Sequence, residues 1–93
     1  MSLTLYTKNN CAYCVQAKTL LKNINVDFSE VNIETDVDAR NFVINEGHRT
    51  MPQIYLDGKL FVEGGFSGLK SLGNEGIKQK LSPSINVESL GTL

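Results

Sequence analysis

The chain has 93 residues, of which 41% are hydrophobic and 20% are charged, and its formal net charge at pH 7 is −1. These values are typical of one small globular domain, and they argue against a disordered chain or a basic surface that attracts nucleic acid or an anionic membrane. Because no apolar run approaches the roughly 20 residues of a membrane span and the first residues lack the features of a signal peptide, we expect a cytoplasmic protein.

The first half of the chain predicts two strand–helix units. Residues 3–7 alternate apolar and polar side chains, which indicates a strand, after which the apolar positions change to helical spacing. Residues 26–33 are rich in strand-forming side chains. Thr35 or Asp36 is then positioned to cap a second helix, which we expect to end near Gly47.

The second half predicts a β-hairpin, a third helix and a tail. Two strand-like runs within residues 52–62 flank Asp57-Gly58, a dipeptide that accepts the positive φ angles of a tight hairpin turn. A last helix with irregular apolar spacing follows, and the polar residues 82–93 are predicted to form a loosely ordered C-terminal tail. We therefore expect the folded domain to span residues 1–81.

The order of these elements, β-α-β-α-β-β-α, restricts the topology. A helical crossover after the first strand makes the first two strands parallel and the connection right-handed. The hairpin adds an antiparallel pair of strands. The predicted fold is therefore of the α/β class, with a mixed four-stranded sheet and helices on both faces.

Cys11 and Cys14 are the two cysteines of the chain, and a C-x-x-C spacing is compatible with a metal site, a structural disulfide or a redox pair. Zinc usually takes four Cys or His ligands, and His48 is the one histidine that could join them. A disulfide across so short a loop stabilises a fold little, and the cytoplasm keeps structural thiols reduced. The pattern therefore favours a redox pair.

The two cysteines are predicted to have different roles. Cys11 falls at the start of the first helix, where unpaired N–H groups and the helix dipole stabilise a thiolate, and Lys8 adds a nearby cation. Cys14 falls one turn later on the apolar face. We therefore predict that Cys11 attacks a disulfide and that Cys14 resolves the mixed disulfide that results.

These residues resemble the glutaredoxins, which are the glutathione-dependent members of the thioredoxin-fold superfamily. The segments that carry the resemblance are YTKNNCAYC at 6–14, TMPQIYLDGKLFVEGG at 50–65 and FSGL at 66–69. The resemblance implies a thioredoxin-like fold, the dithiol C-x-Y-C type and a cis peptide bond between Met51 and Pro52. Ala12 departs from the family pattern, because dithiol members usually have proline between the cysteines.

The resemblance implies an enzyme, a glutathione-dependent thiol–disulfide oxidoreductase. It would reduce protein–glutathione mixed disulfides, and also protein disulfides, with glutathione as the electron-donating co-substrate and with no bound cofactor or metal. The implied partners are glutathione and glutathionylated or disulfide-containing proteins, and the implied state is a monomer. An alternative within the family is an iron–sulfur carrier, which holds a glutathione-ligated [2Fe–2S] cluster between two subunits.

The resemblance also implies a glutathione-binding groove, formed by Lys8, Tyr13, Arg40, Thr50, Met51, Pro52, Gly64, Gly65, Phe66 and Ser67. Met51 would form backbone hydrogen bonds with the cysteine of the tripeptide. The N–H groups near Phe66 and Ser67 would receive the γ-glutamyl carboxylate, and Lys8 with Arg40 would face the glycine carboxylate.

Three further expectations concern residues outside the paired cysteines. The family usually has an acidic residue after the double glycine, where this chain has Ser67 and Gly68, so Gly68→Asp is expected to improve glutathione binding modestly. The acidic residues between positions 30 and 38 are predicted to form a solvated face. His48 is predicted to be a polar loop residue without a catalytic role.

Overall fold

The computed structural model describes residues 3–81, and its elements follow one another in the predicted order. They are β1 (Leu3–Thr7), α1 (Ala12–Asn23), β2 (Ser29–Asn32), α2 (Val37–Asn45), β3 (Gln53–Leu56), β4 (Lys59–Val62) and α3 (Gly65–Leu81). The predicted tail of residues 82–93 lies outside the described residues. The division at residue 81 therefore stays a prediction.

The four strands form one mixed sheet in the order β2-β1-β3-β4. The central strand β1 runs parallel to β2 and antiparallel to β3, and β3 pairs with β4 as an antiparallel hairpin. This arrangement confirms the predicted parallel pair and the predicted hairpin. It also brings the ends of β1 and β2 to the same edge of the sheet, beside the start of α1.

The sheet separates two layers of helices. One face packs against α1 and α3 around the buried side chains Leu3, Leu5, Ala17, Leu21, Ile24, Ile54, Phe61, Leu69 and Ile77. Tyr6 of β1 points to the opposite face, as strand alternation requires, and its ring contacts Phe42 of α2 with a centroid distance of 5.6 Å. The predicted α/β class, with helices on both faces of a mixed sheet, is thus confirmed as a thioredoxin-like fold.

Two local signals have the structure that the sequence predicts. Asp57 and Gly58 have φ angles of 50° and 85°, as a tight hairpin turn requires. Of the two candidate caps for the second helix, Asp36 is the N-cap, and its Oδ1 accepts a hydrogen bond from the Ala39 N–H at 3.0 Å. Such caps are typically worth about 1 kcal/mol of stability.

The second strand is shorter than predicted. The sequence predicts a strand over residues 26–33, whereas β2 covers Ser29–Asn32. The Val26 N–H donates to the Leu21 carbonyl oxygen at 2.9 Å, so Val26 belongs to the turn that ends α1. Val26 and Phe28 still pack against the core, so burial without strand pairing explains their apolar character.

The last helix is interrupted at Gly73, whose φ of 73° and ψ of 171° lie outside the helical range. Leu69 before the interruption and Ile77 after it are both fully buried. The interruption therefore lets both parts of α3 reach the core, which accounts for the irregular apolar spacing of this segment. None of the helices within residues 3–81 is long and apolar enough to cross a membrane.

A hydrogen-bonded aromatic cluster fills the space between α2 and the sheet. Tyr55 of β3 is 2% exposed, and its hydroxyl lies 2.7 Å from His48 Nε2 and donates to Glu46 Oε1 at 3.2 Å. The rings of Tyr6 and Phe42 contact Tyr55 edge to face. His48 therefore lies in a loop, as predicted, and its ring is also a hydrogen-bond partner of Tyr55.

We expect Tyr55 to ionise last in an alkaline titration. Burial and the nearby Glu46 carboxylate raise the pKa of Tyr55 to about 12, so a final rise in tyrosinate absorbance should occur there and be absent from Tyr55→Phe. Since the ordinary pKa is 10.0, the buried neutral phenol stabilises the fold below pH 10.0, and this contribution is lost as the pH rises towards 12. A wild-type titration that is complete by about pH 11 would contradict this prediction.

Candidate active site

Cys11 is the N-cap of α1. Its backbone is extended, with φ −117° and ψ 102°, and its Sγ accepts a hydrogen bond from the Cys14 N–H at 3.1 Å. A sulfur atom at this position faces the unpaired N–H groups of the first helical turn and the positive end of the helix dipole, both of which favour a negative charge. Asn10, just before it, has a φ of 55°, which turns the chain into the helix.

Cys11 and Cys14 form a disulfide, with their Cα atoms 5.2 Å apart. Cys11 is partly exposed, whereas Cys14 is 2% exposed and packs against Val43 and Met51. The structure thus brings the predicted pair together and makes its two members unequal. Only the sulfur of Cys11 is open to a large disulfide substrate.

The peptide bond between Met51 and Pro52 is cis, which confirms the prediction. Met51 is 9% exposed, and its carbonyl oxygen lies 3.7 Å from the Cys11 sulfur. Within residues 3–81 the Met51 N–H forms no backbone hydrogen bond. A polar backbone group therefore remains available beside the reactive sulfur.

The start of α3 lies directly against this loop. Gly65 has a φ of 58°, and a Cβ at this position would lie 2.7 Å from the Pro52 carbonyl oxygen. Glycine is therefore needed both for the backbone angle and for the close approach. The neighbouring Phe66 stacks on Tyr13 of α1 with ring centroids 6.1 Å apart, so α1 and α3 meet beside the cysteines. Ser67 is exposed in the first turn of α3.

A groove runs past the two sulfurs between the β1–α1 loop, α1 and β2. Its lining includes Lys8, Cys11, Cys14, Lys18 and Glu30, and we call it the cysteine groove. Lys8 is exposed there and lines the groove together with Cys11. The groove is thus bordered by cations on both the loop side and the helix side.

The loop before Cys11 is held by a polar network that sequence reasoning missed. The backbone N–H and the side chain of Asn9 donate to the Glu34 carboxylate at 3.2 and 2.9 Å. Asn32 Nδ2 donates to Asn9 Oδ1 at 2.9 Å. The acidic residues Glu30, Glu34, Asp36 and Asp38 are exposed, as predicted. Glu34 is in addition a specific hydrogen-bond acceptor, which the sequence did not indicate.

The remaining predicted groove residues lie at different places around the site. Arg40 of α2 is exposed and lines a depression with Ile33 and Glu34. Thr50 is exposed just before Met51, and its carbonyl oxygen accepts a hydrogen bond from Gln53 Nε2 at 2.8 Å. The structure thus places Lys8 and Thr50 near the cysteines and puts Arg40 on the neighbouring helix.

Gly68 has no room for a side chain. A Cβ there would overlap the Glu63 carbonyl oxygen and lie 2.8 Å from Val62 Cγ2. The first of these neighbours is backbone, which cannot move aside cheaply. The expectation that Gly68→Asp improves glutathione binding is therefore incompatible with the packing of α3 against β4.

Residues 3–61 match the family model described as Glutaredoxin. The chain belongs to the glutaredoxin family. Glutaredoxin 1 of Rickettsia felis is 35% identical over 83 residues, which cover 86% of this chain and 79% of that protein. Glutaredoxin 3 of Escherichia coli K12 is 39% identical over 57 residues, which cover 60% of this chain and 69% of the relative. The solution structure of a glutaredoxin from Brucella melitensis has a TM-score of 0.69 at 29% identity and covers 87% of each chain.

Family membership and the paired cysteines together establish the general chemistry of this glutaredoxin. A disulfide that joins a partly exposed Cys11 to a buried Cys14 at a helix start is the redox-active element of a thiol–disulfide oxidoreductase. The predicted family, fold and general reaction class are thus confirmed.

Proposed function

We propose that this chain is a dithiol glutaredoxin that uses glutathione to reduce protein–glutathione mixed disulfides and protein disulfides. The observation that supports the proposal is the inequality of the two sulfurs. Cys11 is accessible at the N-cap of α1, and Cys14 lies buried within disulfide distance of it. One accessible and one enclosed thiol suit a cycle in which one cysteine receives the substrate and the other resolves the intermediate.

In the first reaction, the Cys11 thiolate attacks the glutathione sulfur of a mixed disulfide. A bond forms between Cys11 and that sulfur, and the substrate protein leaves as a thiolate that takes a proton from solvent. A second glutathione thiolate then attacks the glutathione sulfur bound to Cys11. This step releases oxidised glutathione and restores the Cys11 thiolate.

In the second reaction, the Cys11 thiolate attacks one sulfur of a protein disulfide and forms a mixed disulfide with it, and the other substrate sulfur leaves as a thiolate that takes a proton from solvent. The Cys14 thiolate then attacks Cys11, which forms the Cys11–Cys14 bond and releases the second substrate sulfur as a thiolate. Two glutathione molecules reduce the Cys11–Cys14 disulfide and leave as oxidised glutathione. Neither reaction requires a bound organic cofactor or a metal, and we propose that the chain works without one.

The glutathione site is proposed from the groups around Cys11. The Met51 N–H, which forms no backbone hydrogen bond within residues 3–81, and the Met51 carbonyl suit an extended tripeptide that pairs with the backbone. The N–H groups of Phe66 and Ser67 at the start of α3 suit a carboxylate. Lys8 and Arg40 supply cations for the other carboxylate, and Tyr13 supplies an exposed ring, 61% accessible, beside the sulfur.

The choice of electron donor tests this proposal. Turnover of a glutathionylated peptide and of a protein disulfide should proceed with glutathione and glutathione reductase, and should be slow when thioredoxin reductase is the only reductant. Turnover is measured as the rate of NADPH consumption, both with glutathione and glutathione reductase and with thioredoxin reductase alone. If thioredoxin reductase alone sustained turnover and glutathione did not, the chain would be a thioredoxin-like reductant and the proposed function would be wrong.

Replacing either proposed cation should weaken glutathione binding. Lys8→Ala and Arg40→Ala should each raise the Michaelis constant for glutathione up to about fivefold, because an exposed ion pair is worth about 0.2–1 kcal/mol. The effect should shrink at high salt, since screening weakens exposed pairs. Lys59→Ala, which removes an exposed lysine from β4, is the matched control. An unchanged constant in either variant would remove that residue from the site.

The iron–sulfur alternative stays a prediction with its own test. Anaerobic reconstitution with iron, sulfide and glutathione, followed by visible absorption spectroscopy and gel filtration, would show a coloured dimer if the chain is a carrier. We propose instead a colourless monomer that acts in the cytoplasm on glutathionylated or disulfide-containing proteins. Neither nucleic acid nor a membrane is a partner in this proposal.

A further inference from the structure

An ion pair lies in the cysteine groove, beyond the cysteines themselves. Lys18 Nζ of α1 donates to both carboxylate oxygens of Glu30 on β2, at 3.2 and 3.1 Å. Thr7 Oγ1, in a residue that is 1% exposed, donates to Glu30 Oε2 at 2.9 Å. The carboxylate is therefore held from two sides, and it in turn fixes the lysine ammonium.

The same pair adjoins the resolving cysteine. Lys18 follows Cys14 by four residues on α1, so the two lie on the same face of the helix with Cβ atoms about 5–6 Å apart. The Cα–Cβ bonds of a helix tilt towards its N-terminus, so the Cβ of Lys18 leans towards the turn that carries Cys14. Both residues line the cysteine groove together with Glu30.

The Glu30 carboxylate of this pair is ionised at neutral pH. Burial opposes ionisation of Glu30, but hydrogen bonds from Thr7 and Lys18, with the charges of Lys18 and Lys22, outweigh it and lower the pKa of Glu30. The other titratable groups near Cys14 are Lys8 in the cysteine groove, Cys11, and Tyr6 behind the site, whose pKa is raised by burial so that it stays neutral. The side chains that enclose Cys14 from the remaining side, Val43 and Met51, carry no charge.

We propose that the Lys18–Glu30 pair controls the thiolate fraction of Cys14 and thereby the rate at which Cys14 resolves a mixed disulfide on Cys11. The proposal rests on the dithiol cycle of the proposed function. In this step the Cys14 thiol gives its proton to solvent, and its sulfur forms the bond to Cys11. The bond between Cys11 and the substrate sulfur breaks, and that sulfur leaves with the electron pair.

The two charges act on Cys14 in opposite directions. The Lys18 ammonium stabilises a thiolate, whereas the Glu30 carboxylate destabilises it and offsets part of the lysine charge. Thr7 and Glu30 are positioning residues in this arrangement, because Thr7 holds the Glu30 carboxylate and that carboxylate holds the Lys18 ammonium. Removing the lysine should slow resolution. Glu30→Gln removes the negative charge but keeps an amide oxygen that can accept a hydrogen bond from Lys18, so it should speed resolution.

The expected changes in rate are moderate. A partly exposed charge changes a thiolate fraction by less than a buried one. A higher thiolate fraction is also partly offset by the lower nucleophilicity of a more acidic thiol. We therefore expect Lys18→Met to slow resolution about threefold and Glu30→Gln to speed it about twofold.

A stopped-flow experiment with a neutral disulfide isolates this step without glutathione. The reduced protein is mixed with 2,2′-dithiodipyridine, and release of thiopyridone is followed by absorbance. Attack by Cys11 gives the first phase, and attack by Cys14 on the Cys11 mixed disulfide gives the second. Because the probe carries no charge, Lys18 cannot act by attracting it, and the result does not depend on whether glutathione is the natural reductant.

The proposal is supported if the second phase slows about threefold in Lys18→Met and speeds in Glu30→Gln while the first phase stays within about 1.5-fold. Lys18→Arg, which keeps the charge, should behave as the wild type. Lys22→Met removes the same charge one turn further from Cys14 and should leave both phases unchanged.

Three outcomes would overturn the proposal. The first is an unchanged rate of the second phase in Lys18→Met. The second is an equal loss of rate in both phases of that variant. The third is a slowing of the second phase in Lys22→Met that equals the slowing in Lys18→Met. The second of these would indicate a structural role, and the third a general effect of net charge. If Lys18→Met does not fold, the opposite sign expected for Glu30→Gln still decides the matter, since a slower or unchanged second phase there contradicts the electrostatic role.

Discussion

Replacing Cys11 by serine is expected to abolish the reduction of both mixed disulfides and protein disulfides. Replacing Cys14 by serine should keep most of the first activity and remove most of the second. The physical reason is the exposure of the two sulfurs, because Cys14 is 2% exposed and cannot reach a large substrate. A second glutathione can replace Cys14 in releasing glutathione from Cys11, whereas a bound protein substrate needs the resolving thiol. Parallel assays on a glutathionylated peptide and on insulin disulfides measure the two activities.

The buried position of Cys14 requires a second variant as control. Serine would place a hydroxyl among the apolar neighbours Val43 and Met51, and this alone can weaken the fold. Cys14→Ala removes the thiol without adding a polar group, so it should show the same division between the two activities. Residual deglutathionylation by Cys11→Ser would show that Cys14 can attack, and the assignment of roles would then be wrong.

Substitutions at Gly68 are expected to destabilise the fold strongly. Gly68→Ala and Gly68→Asp each add a Cβ that overlaps the Glu63 carbonyl oxygen and lies 2.8 Å from Val62 Cγ2. Overpacking of this kind costs about 1–3 kcal/mol or more, which corresponds to a fall in Tm of roughly 4–8 °C for each kcal/mol in a domain of this size. Thermal unfolding by circular dichroism measures the loss. Glutathione turnover should fall as well, because α3 also carries Gly65 and Phe66 to the active site.

Gly76 offers a matched control on the same helix. A Cβ there would meet Leu72 Cβ at 3.4 Å, an ordinary contact distance, and no positive φ is present. Gly76→Ala should therefore be neutral or stabilise α3 by up to about 1 kcal/mol, since alanine favours a helix interior. A Gly68→Ala protein with the Tm of the wild type would show that β4 and α3 are further apart than in this structure.

The sequence by itself determined the features that depend on neighbouring residues. Alternation over residues 3–7, the Asp57-Gly58 turn and the C-x-x-C pair at a helix start are all local patterns. Each was found where it was predicted, because a turn, a cap or an amphipathic face is set by side chains a few positions apart. The family resemblance added the cis bond before Pro52, which the structure confirms.

The tertiary structure alone decided which distant groups meet around the cysteines. Asn9 and Glu34 are 25 positions apart, and they meet because β1 and β2 lie side by side. Lys18 and Glu30 are 12 positions apart, and their hydrogen bonds join α1 to β2. No local pattern in the sequence indicates such partners, so the sequence predicted only that these acidic residues form a solvated face.

Close contacts between packed elements could not be predicted from the sequence either. The need for glycine at position 68 comes from the approach of α3 to the end of β4, and the link from His48 to Tyr55 comes from the approach of a loop to β3. Short-range preferences act along the chain, whereas steric exclusion and hydrogen bonding act through space. For this reason the order of the elements and the local motifs predicted the fold and the redox pair, whereas the residues that surround the pair were identified only from the folded arrangement.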